Sequence, residues 1–231
     1  MKIKITADST CDLSEELLKK WDIALMPMHI LMGEDSYLDG VTVHPADVFA
    51  YVNQGGKMPK SAAANLVEYT EFFAPFAKEY DAVVHISVSS KLSSCFQNAR
   101  LAAGEFENVC VVDSQNICTG QGYLVLKAAK WAADGLTARA IQMKLQSLAK
   151  RVELSFVGKY ITDRLADRDD IEDGLVFISS CQPKPGCMEA VKAGLKKYGH
   201  FKECWETDIG TTIGGYSGPG TIGIVFARKE K

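Results

Sequence analysis

The sequence predicts an α/β protein: a three-layer N-terminal domain on a parallel, doubly wound sheet, followed by a smaller α+β C-terminal lobe. Two observations support this fold class. Short β-branched strand patterns alternate with helical patterns over the first 150 residues, which is typical of parallel sheets because helical crossovers connect parallel strands. From Arg151 onward the pattern changes to several strands and one helix. We therefore predict two domains, residues 1–150 and 151–231.

The first domain begins with an alternating strand over residues 2–7, which ends at Asp8-Ser9-Thr10. Ser14 is a suitable N-cap for a helix over residues 15–21. The apolar run 23–32 contains Pro27, which predicts an edge or bent strand because proline cannot donate to a sheet ladder. The other predicted elements are helices over 45–52, 66–78, 123–133 and 137–150, strands over 82–88 and 109–112, and a loop over 54–61.

The second domain has a different order of elements. The segment 159–173 is charged and is predicted to be a solvated surface segment. A glycine-rich stretch, residues 213–220, precedes the last strand, and we assign no helix to it. The predicted strands and single helix of this lobe cover 152–157, 174–179, 187–198 (the helix), 202–207 and 222–228.

Composition excludes several classes of protein. The chain has 231 residues, 47% of them hydrophobic, and a net charge of −3, which argues against a nucleic-acid partner. No apolar run approaches the roughly 20 residues that span a bilayer, and the strand-like N-terminus does not look like a signal peptide. The seven cysteines are scattered singly, which favours reduced thiols and a cytoplasmic location. Cys181 and Cys187 are the nearest pair, but without a second ligand pair we expect no metal and no cofactor.

A serine-rich turn, Ile86 to Cys95, is the strongest candidate site. It follows the apolar strand pattern 82–86 and precedes a helical pattern from Phe96. A strand, a hydroxyl-rich turn and a helix start together provide free backbone N–H groups, a favourable dipole and short hydrogen-bond donors. The turn therefore predicts a site for a small anionic head group.

Enzymatic interpretations remain open for the same segments. Asp8-Ser9-Thr10 is either catalytic or a turn that bonds local backbone, and Ser89 or Ser93 could be a nucleophile. A serine hydrolase would require a Gly-x-Ser-x-Gly elbow and a histidine base, and the elbow is missing. The glycines of 214–220 lack the Gly-Lys-Ser/Thr end of a phosphate-binding loop. A small serine-dependent hydrolase or phosphoryl-transfer enzyme is therefore the alternative function.

The histidines offer little support for that alternative. His29 and His85 lie inside apolar strand patterns, where a histidine is typically a hydrogen-bonded core residue. His44 beside Pro45 and His200 beside Gly199 have the sequence context of surface turns.

Several motifs in this order resemble the DegV family, cytoplasmic bacterial proteins that bind fatty acids. The resemblance covers residues 1 to about 150 and resumes near Gly174. The matching segments are Ala7-Asp8-Ser9-Thr10-Cys11-Asp12-Leu13, Pro27-Met28-His29-Ile30, Pro59-Lys60-Ser61-Ala62, residues 86–99, Val111-Val112-Asp113-Ser114 with Gly120 and Gly122, and Tyr216-Ser217-Gly218-Pro219-Gly220.

The resemblance implies a long-chain fatty acid held between the two lobes and presented to a separate fatty acid kinase, with no chemistry performed by the carrier. Ser61 and Ser93 would donate to the carboxylate, and backbone N–H groups around Ser94 and Cys95 would reinforce them. Tyr216 would close the mouth from the second lobe, with Gly218 in the same closing motif. We expect no nucleic-acid partner and at most transient contact with a membrane surface.

The sequence departs from the family pattern at the site itself. Ser61 stands where the family usually has threonine, Ser94-Cys95 stands for Gly-Thr, and Tyr216 stands for a histidine. The segment 151–173 is too short for the family's longer middle segment. The resemblance therefore implies a shortened second lobe that leaves a smaller or more open acyl tunnel.

Overall fold

The computed structural model describes residues 1–156, 165, 168–198 and 201–230. It confirms the predicted α/β fold class with a second, mixed-sheet lobe. Strands β1, β2, β6 and β7 form an all-parallel sheet in the order β2-β1-β6-β7. Their bounds are β1 Ile3–Asp8, β2 Ala24–Met26, β6 Ala82–Ser87 and β7 Val109–Asp113.

Six helices accompany this sheet, and the predicted ones are present with small shifts at their ends. Ser14 accepts a hydrogen bond from the Leu17 N–H and caps the first helix, as predicted. Helix α5 begins four residues before its predicted start, at Thr119. The bounds are α1 Glu15–Lys20, α2 Pro45–Asn53, α3 Leu66–Glu79, α4 Cys95–Ala103, α5 Thr119–Ala133 and α6 Ala138–Ala149.

The apolar run around Pro27 becomes two strands in two different sheets, rather than one bent strand. β2 lies at the edge of the parallel sheet, whereas β3 His29–Met32 is the centre of a small antiparallel sheet of order β4-β3-β5. The outer strands, β4 Asp35–Leu38 and β5 Lys60–Ala62, fall in segments for which we predicted no strand. They are three or four residues long, and each pairs with β3. The local sequence pattern therefore gives little indication that they are strands.

The second lobe is built on a mixed sheet of order β10-β9-β11-β8. β10 and β9 are parallel, while β11 is antiparallel to both β9 and β8. A helix that we did not predict, α8, overlaps the first part of the glycine-rich stretch. The bounds are β8 Val152–Phe156, β9 Leu175–Cys181, α7 Cys187–Tyr198, β10 Glu203–Asp208, α8 Thr211–Ser217 and β11 Thr221–Ala227.

One apolar core joins the two sheets. Helix α5 is buried along most of its length, and its side chains pack in the same cluster as Ile5 and Ile86 of the parallel sheet and Phe177 and Val225 of the mixed sheet. The division at residues 150 and 151 stays a prediction. The charged segment predicted to be solvated lies mostly outside the described residues; within it, Arg168 pairs with Glu153 and Asp170.

Three further observations concern the cysteines, membrane-spanning helices and groups of metal-ligating residues. All seven cysteines are free thiols. Among the described residues, no helix is long and apolar enough to cross a membrane. Within the same part of the chain, no group of three or more histidine, cysteine or acidic residues is arranged to hold a metal ion.

Candidate functional site

The candidate site lies where the parallel sheet changes winding direction. β1 is at the centre of the sheet, with β2 on one side and β6 on the other. The carboxyl ends of β1 and β6 therefore diverge into loops on opposite sides, which opens a crevice typical of ligand sites in such sheets. The Asp8-Ser9-Thr10 turn follows β1, and the serine-rich turn follows β6.

A buried carboxylate, Asp8, fixes the relation between these two turns. Its Oδ2 accepts hydrogen bonds from the Ser87 hydroxyl and the Val88 N–H, both at 2.8 Å. Its Oδ1 accepts from the Tyr69 hydroxyl and lies 3.2 Å from His85 Nε2. Burial raises the pKa of Asp8, but the hydrogen bond and charge of His85, followed by Tyr69 and Val88, outweigh burial and hold that pKa below its usual value.

The serine-rich turn is shaped by its own hydrogen bonds. The Ser89 carbonyl accepts from the Ser93 N–H at 3.2 Å, which folds the chain into a tight turn before α4. Ser90 is anchored by its N–H and hydroxyl to the Asp113 carboxylate. The Ser93 hydroxyl accepts from the Cys95 N–H at 3.2 Å and lies 3.2 Å from Cys95 Sγ. Ser93, the residue before the N-cap Ser94, therefore satisfies one free N–H at the start of α4.

A cleft of about 300 Å³ opens beside this turn. On one side lie Ser93 and Ser61, the latter on β5; on the other lie Ile213 and Tyr216 of α8. Ser61 Oγ and Tyr216 Oη are 3.2 Å apart and bridge the two sides. The antiparallel sheet, the parallel sheet and the second lobe therefore all contribute to one site.

The described lining is made of hydroxyls and apolar groups and carries no charged side chain. The hydroxyls belong to Thr10, Ser61, Ser93, Thr212 and Tyr216. The apolar lining consists of Met28, Ala63, Val88, Leu92, Ile117 and Ile213. Thr10 and Thr212 already donate to Gln121 and Asp39, so Ser61, Ser93 and Tyr216 are the hydroxyls that can donate to a polar head. The apolar groups can shield an attached chain from water.

Three of the six predicted site residues line this cleft: Ser61, Ser93 and Tyr216. The others are placed differently. Ser94 is exposed and Gly218 half-buried, and neither is among the described lining residues. The Cys95 side chain is buried against Met28, and burial raises the pKa of its thiol to about 11. The role of all six in ligand binding stays a prediction.

The sequence reasoning missed part of the lining. Thr212 lies just before the glycine-rich stretch and Ile213 at its start, where no helix was expected to present them. Ile117 lies between β7 and α5 and had no motif to mark it. Thr10 belongs to the Asp8-Ser9-Thr10 motif, but we did not assign it to the ligand site. Its hydroxyl donates to Gln121 Oε1 at 2.8 Å, and Gln121 Nε2 donates to the Ile86 carbonyl.

The described histidines lie away from the cleft lining. His85 is fully buried and is held by Asp8 and by Thr6, whose Oγ1 lies 3.0 Å from Nδ1. This confirms the expected core role for His85. His29 is half-buried beside Glu68, and His44 is exposed at the start of α2, whereas His200 lies outside the described residues. Among the described residues, no histidine forms a hydrogen bond with Ser89 or Ser93, so they offer the hydrolase alternative no histidine base.

Together, the parallel sheet, the mixed-sheet lobe and the hydroxyl-lined cleft define a two-lobed α/β protein with a cleft between its lobes. The family model described as “Uncharacterised protein, DegV family” matches residues 2–165. The chain belongs to the DegV family.

Among its relatives is a DegV domain-containing protein of Clostridium perfringens, 37% identical over 146 residues. This match covers 62% of the present chain and 52% of the relative, so the chain spans about half the length of the curated relatives it matches.

Solved structures of DegV family proteins share the fold. A DegV family protein from Thermus thermophilus, whose structure concerns fatty acid binding, superimposes with a TM-score of 0.87 at 20% identity and covers 99% of this chain and 100% of that one. The Streptococcus pneumoniae Fatty Acid Kinase (Fak) B3 protein, loaded with linoleic acid, gives a TM-score of 0.82 at 13% identity. This match covers 99% of the present chain and 100% of that protein.

Proposed function

We propose that this protein binds a long-chain fatty acid, with the carboxylate among the hydroxyls of the cleft, and presents it to a separate fatty acid kinase. The observation that carries the proposal is the cleft whose described lining combines five hydroxyls with six apolar side chains and includes no charged side chain. Fatty acid binding by proteins of the same family and fold supports it.

The head group would lie near the bridge between Ser61 and Tyr216. A carboxylate placed there accepts hydrogen bonds from both hydroxyls and from Ser93. Each hydrogen bond to a charged group contributes about 1.5–3 kcal/mol net. Because no lysine or arginine is among the described lining residues, hydroxyls are the donors that distinguish the acid from a neutral lipid.

The acyl chain would supply most of the affinity. Each buried methylene contributes about 0.8 kcal/mol, so a long chain offers roughly 10 kcal/mol before the costs of ordering. The cleft volume of about 300 Å³ is at the lower end of the range for small-molecule sites. We therefore propose that the cleft encloses the head group and the first part of the chain only.

A chain-length series tests this proposal. Saturated fatty acids from C8 to C18 are titrated into delipidated protein by calorimetry, after native mass spectrometry has identified any copurified lipid. We expect about a four-fold gain in affinity per methylene until the enclosed length is filled, and little gain beyond it. No copurified lipid and no binding by any member of the series would refute the proposal.

Head-group recognition is tested separately by removing hydroxyls. Ser61→Ala combined with Ser93→Ala should weaken decanoate binding about 100-fold, since two charge-assisted donors are lost, and should leave decanol binding unchanged. The matched control is Thr70→Ala with Ser147→Ala, which removes two hydroxyls from α3 and α6. Equal decanoate affinity in the double variant and the wild type would place the head group elsewhere.

Presentation to a kinase is the third part of the proposal. A purified fatty acid kinase is given ATP and either the loaded protein or free fatty acid, and acyl phosphate is measured. We expect acyl phosphate only with the loaded protein. Equal yields from free fatty acid would show that this chain is not required as a carrier.

A further inference from the structure

A second concavity lies on the other side of the Ser9–Thr10 turn from the cleft. It is a groove of about 450 Å³ between the first turns of the N-terminal domain and α8 of the second lobe. We call it the acidic groove and define it by four lining carboxylates: Asp12, Glu15, Asp39 and Asp208. Among the described lining residues there is no lysine or arginine.

Asp12 is the group that requires an explanation. The residue is 7% exposed, and neither carboxylate oxygen has a hydrogen-bond partner of good geometry. A buried acceptor without a donor is costly, and a buried carboxylate more so. Burial raises the pKa of Asp12 to about 8, Asp39 adds to this rise, and the nearby Cys118 thiol and Gly210 N–H offset only part of it.

The backbone conformation of Asp12 and its neighbour Gly210 fix the position of the Asp12 side chain. Its backbone adopts a left-handed conformation, with φ 48° and ψ 36°, which directs the side chain toward α8. Gly210 allows the close approach, because a Cβ there would lie 2.5 Å from Asp12 Oδ1. Thr211, 3% exposed, also lines the groove and has an unpartnered hydroxyl.

Asp39 adds a second acceptor to the groove. It is 5% exposed. Its Oδ2 accepts from the Ser9 hydroxyl at 2.9 Å and the Thr212 hydroxyl at 2.7 Å, while no described residue donates to Oδ1. Two buried carboxylates, each with unused acceptor capacity, therefore line one groove with the Thr211 hydroxyl.

The walls of the groove are apolar. Leu18, Ile23 and Leu25 line it from α1, the following turn and β2, and Val41 lines it from an exposed turn. A short methylene chain fits such walls, while carboxylates suit a cation at its end. A bare metal ion fits less well, because the described residues do not provide three ligating groups together.

We propose that the acidic groove binds an aliphatic cation: an ammonium or guanidinium group on a short methylene chain. Asp12 and Asp39 accept from the cation, and the apolar walls cover the methylenes. The cation is either a free small amine or a lysine or arginine side chain of another protein; both present the same chemistry to the groove. This inference does not depend on fatty acid binding in the cleft.

The test is calorimetric titration of the full chain at pH 8.5, which lies above the raised pKa of Asp12, about 8. The probe is n-butylguanidinium chloride, and n-butanol is the uncharged control. We expect saturable one-to-one binding of the cation and none of the alcohol. Absence of saturable cation binding, or equal binding of butanol, would overturn the proposal.

Variants assign the binding to Asp12. Asp12→Asn should weaken cation binding ten-fold or more, and asparagine tolerates the left-handed backbone well. The control Glu16→Gln removes one exposed negative charge from α1 outside the described groove lining and should change the affinity less than two-fold. Equal affinity for Asp12→Asn and wild type would overturn the proposal.

A third variant covers the case in which Asp12→Asn does not fold. Val41 is 62% exposed, so Val41→Lys should fold normally and place a tethered ammonium at the groove. We expect it to block n-butylguanidinium binding by competition. Undiminished binding to this variant would contradict the assigned location.

N-acetyl-arginine N-methylamide distinguishes the two sources of the cation. Binding of this compound with the affinity of n-butylguanidinium supports a protein side chain as ligand. Binding of the free guanidinium alone supports a small amine. Both results require cation binding in the acidic groove, and failure of both compounds to bind refutes the proposal.

Discussion

Removing the Asp8 carboxylate should destabilise the whole N-terminal domain, because this group organises the ends of β1 and β6. Asp8→Ala would leave the buried donors of Tyr69, Ser87 and Val88 unpaired and would remove the acceptor that faces His85. Each unpaired buried donor costs about 1–3 kcal/mol. Since water or neighbouring groups can repair part of the loss, we expect a destabilisation of about 3–5 kcal/mol in total.

The assay is urea unfolding at pH 7 followed by circular dichroism. Tyr69→Phe removes one of the four donors and should cost less, about 1–2 kcal/mol. Glu107→Gln, an exposed charge change before β7, serves as control and should stay within 0.5 kcal/mol of wild type, as surface substitutions usually do.

The pH dependence follows from the sign of the pKa shift. The pKa of Asp8 is lowered by folding, so the folded state prefers the ionised form. Its contribution is present above the unfolded pKa of about 3.9 and is lost as the pH falls through the folded value. The difference between wild type and Asp8→Ala should therefore be constant from about pH 5 to 8 and shrink in acid. An Asp8→Ala variant within about 1 kcal/mol of wild type at pH 7, or less destabilised than Tyr69→Phe, would refute the reasoning.

Three further predictions follow from other contacts. Gly122→Ala should destabilise the protein by about 2 kcal/mol or more in urea unfolding, because its Cβ would lie 2.4 Å from the rigid Cys11 carbonyl; Gly215→Ala, with nothing within 4 Å, is the control. Tyr216→His should introduce a transition near pH 6.5 into fatty acid affinity, and identical pH profiles would show that this side chain does not contact the carboxylate. The pKa of Asp12 is raised to about 8 in the folded state, so this group lowers the free energy of unfolding of the wild type as the pH rises from about 4 to 8. Asp12→Asn should therefore be more stable than wild type by a few kcal/mol at pH 8.5. A stability difference that does not change with pH would contradict the raised pKa.

The sequence predicted the parallel sheet because its signals are local. Buried strands such as β6 read as apolar runs, and α1 has a serine cap that marks its start. The antiparallel strands β4 and β5 were missed since their pairing depends on β3, which itself was merged with β2. Pro27 indicated an interruption of the strand, but no local sequence pattern predicts that the chain passes from one sheet to another at this point.

The site was predicted only in part, because some of its residues belong to a local motif and others are brought together by the packing of the two lobes. Ser93 belongs to a strand–turn–helix motif that can be recognised in one stretch of sequence, whereas its proximity to Tyr216 depends on how the two lobes pack. Cys95 stood in the same motif, but its side chain turned into the core beside Met28. A motif therefore identified the turn, while the direction of each side chain required the structure.

Helix α8 shows why the rest of the site could not be predicted locally. It has seven residues, two of them glycines, and a sequence of this kind has little helical propensity of its own. Its contacts stabilise it instead: Thr212 donates to Asp39 in the N-terminal domain, and Ile213 packs with Cys118 and Cys181. The helix that presents Thr212, Ile213 and Tyr216 to the cleft therefore depends on both lobes, and so does the side of the cleft that these residues form.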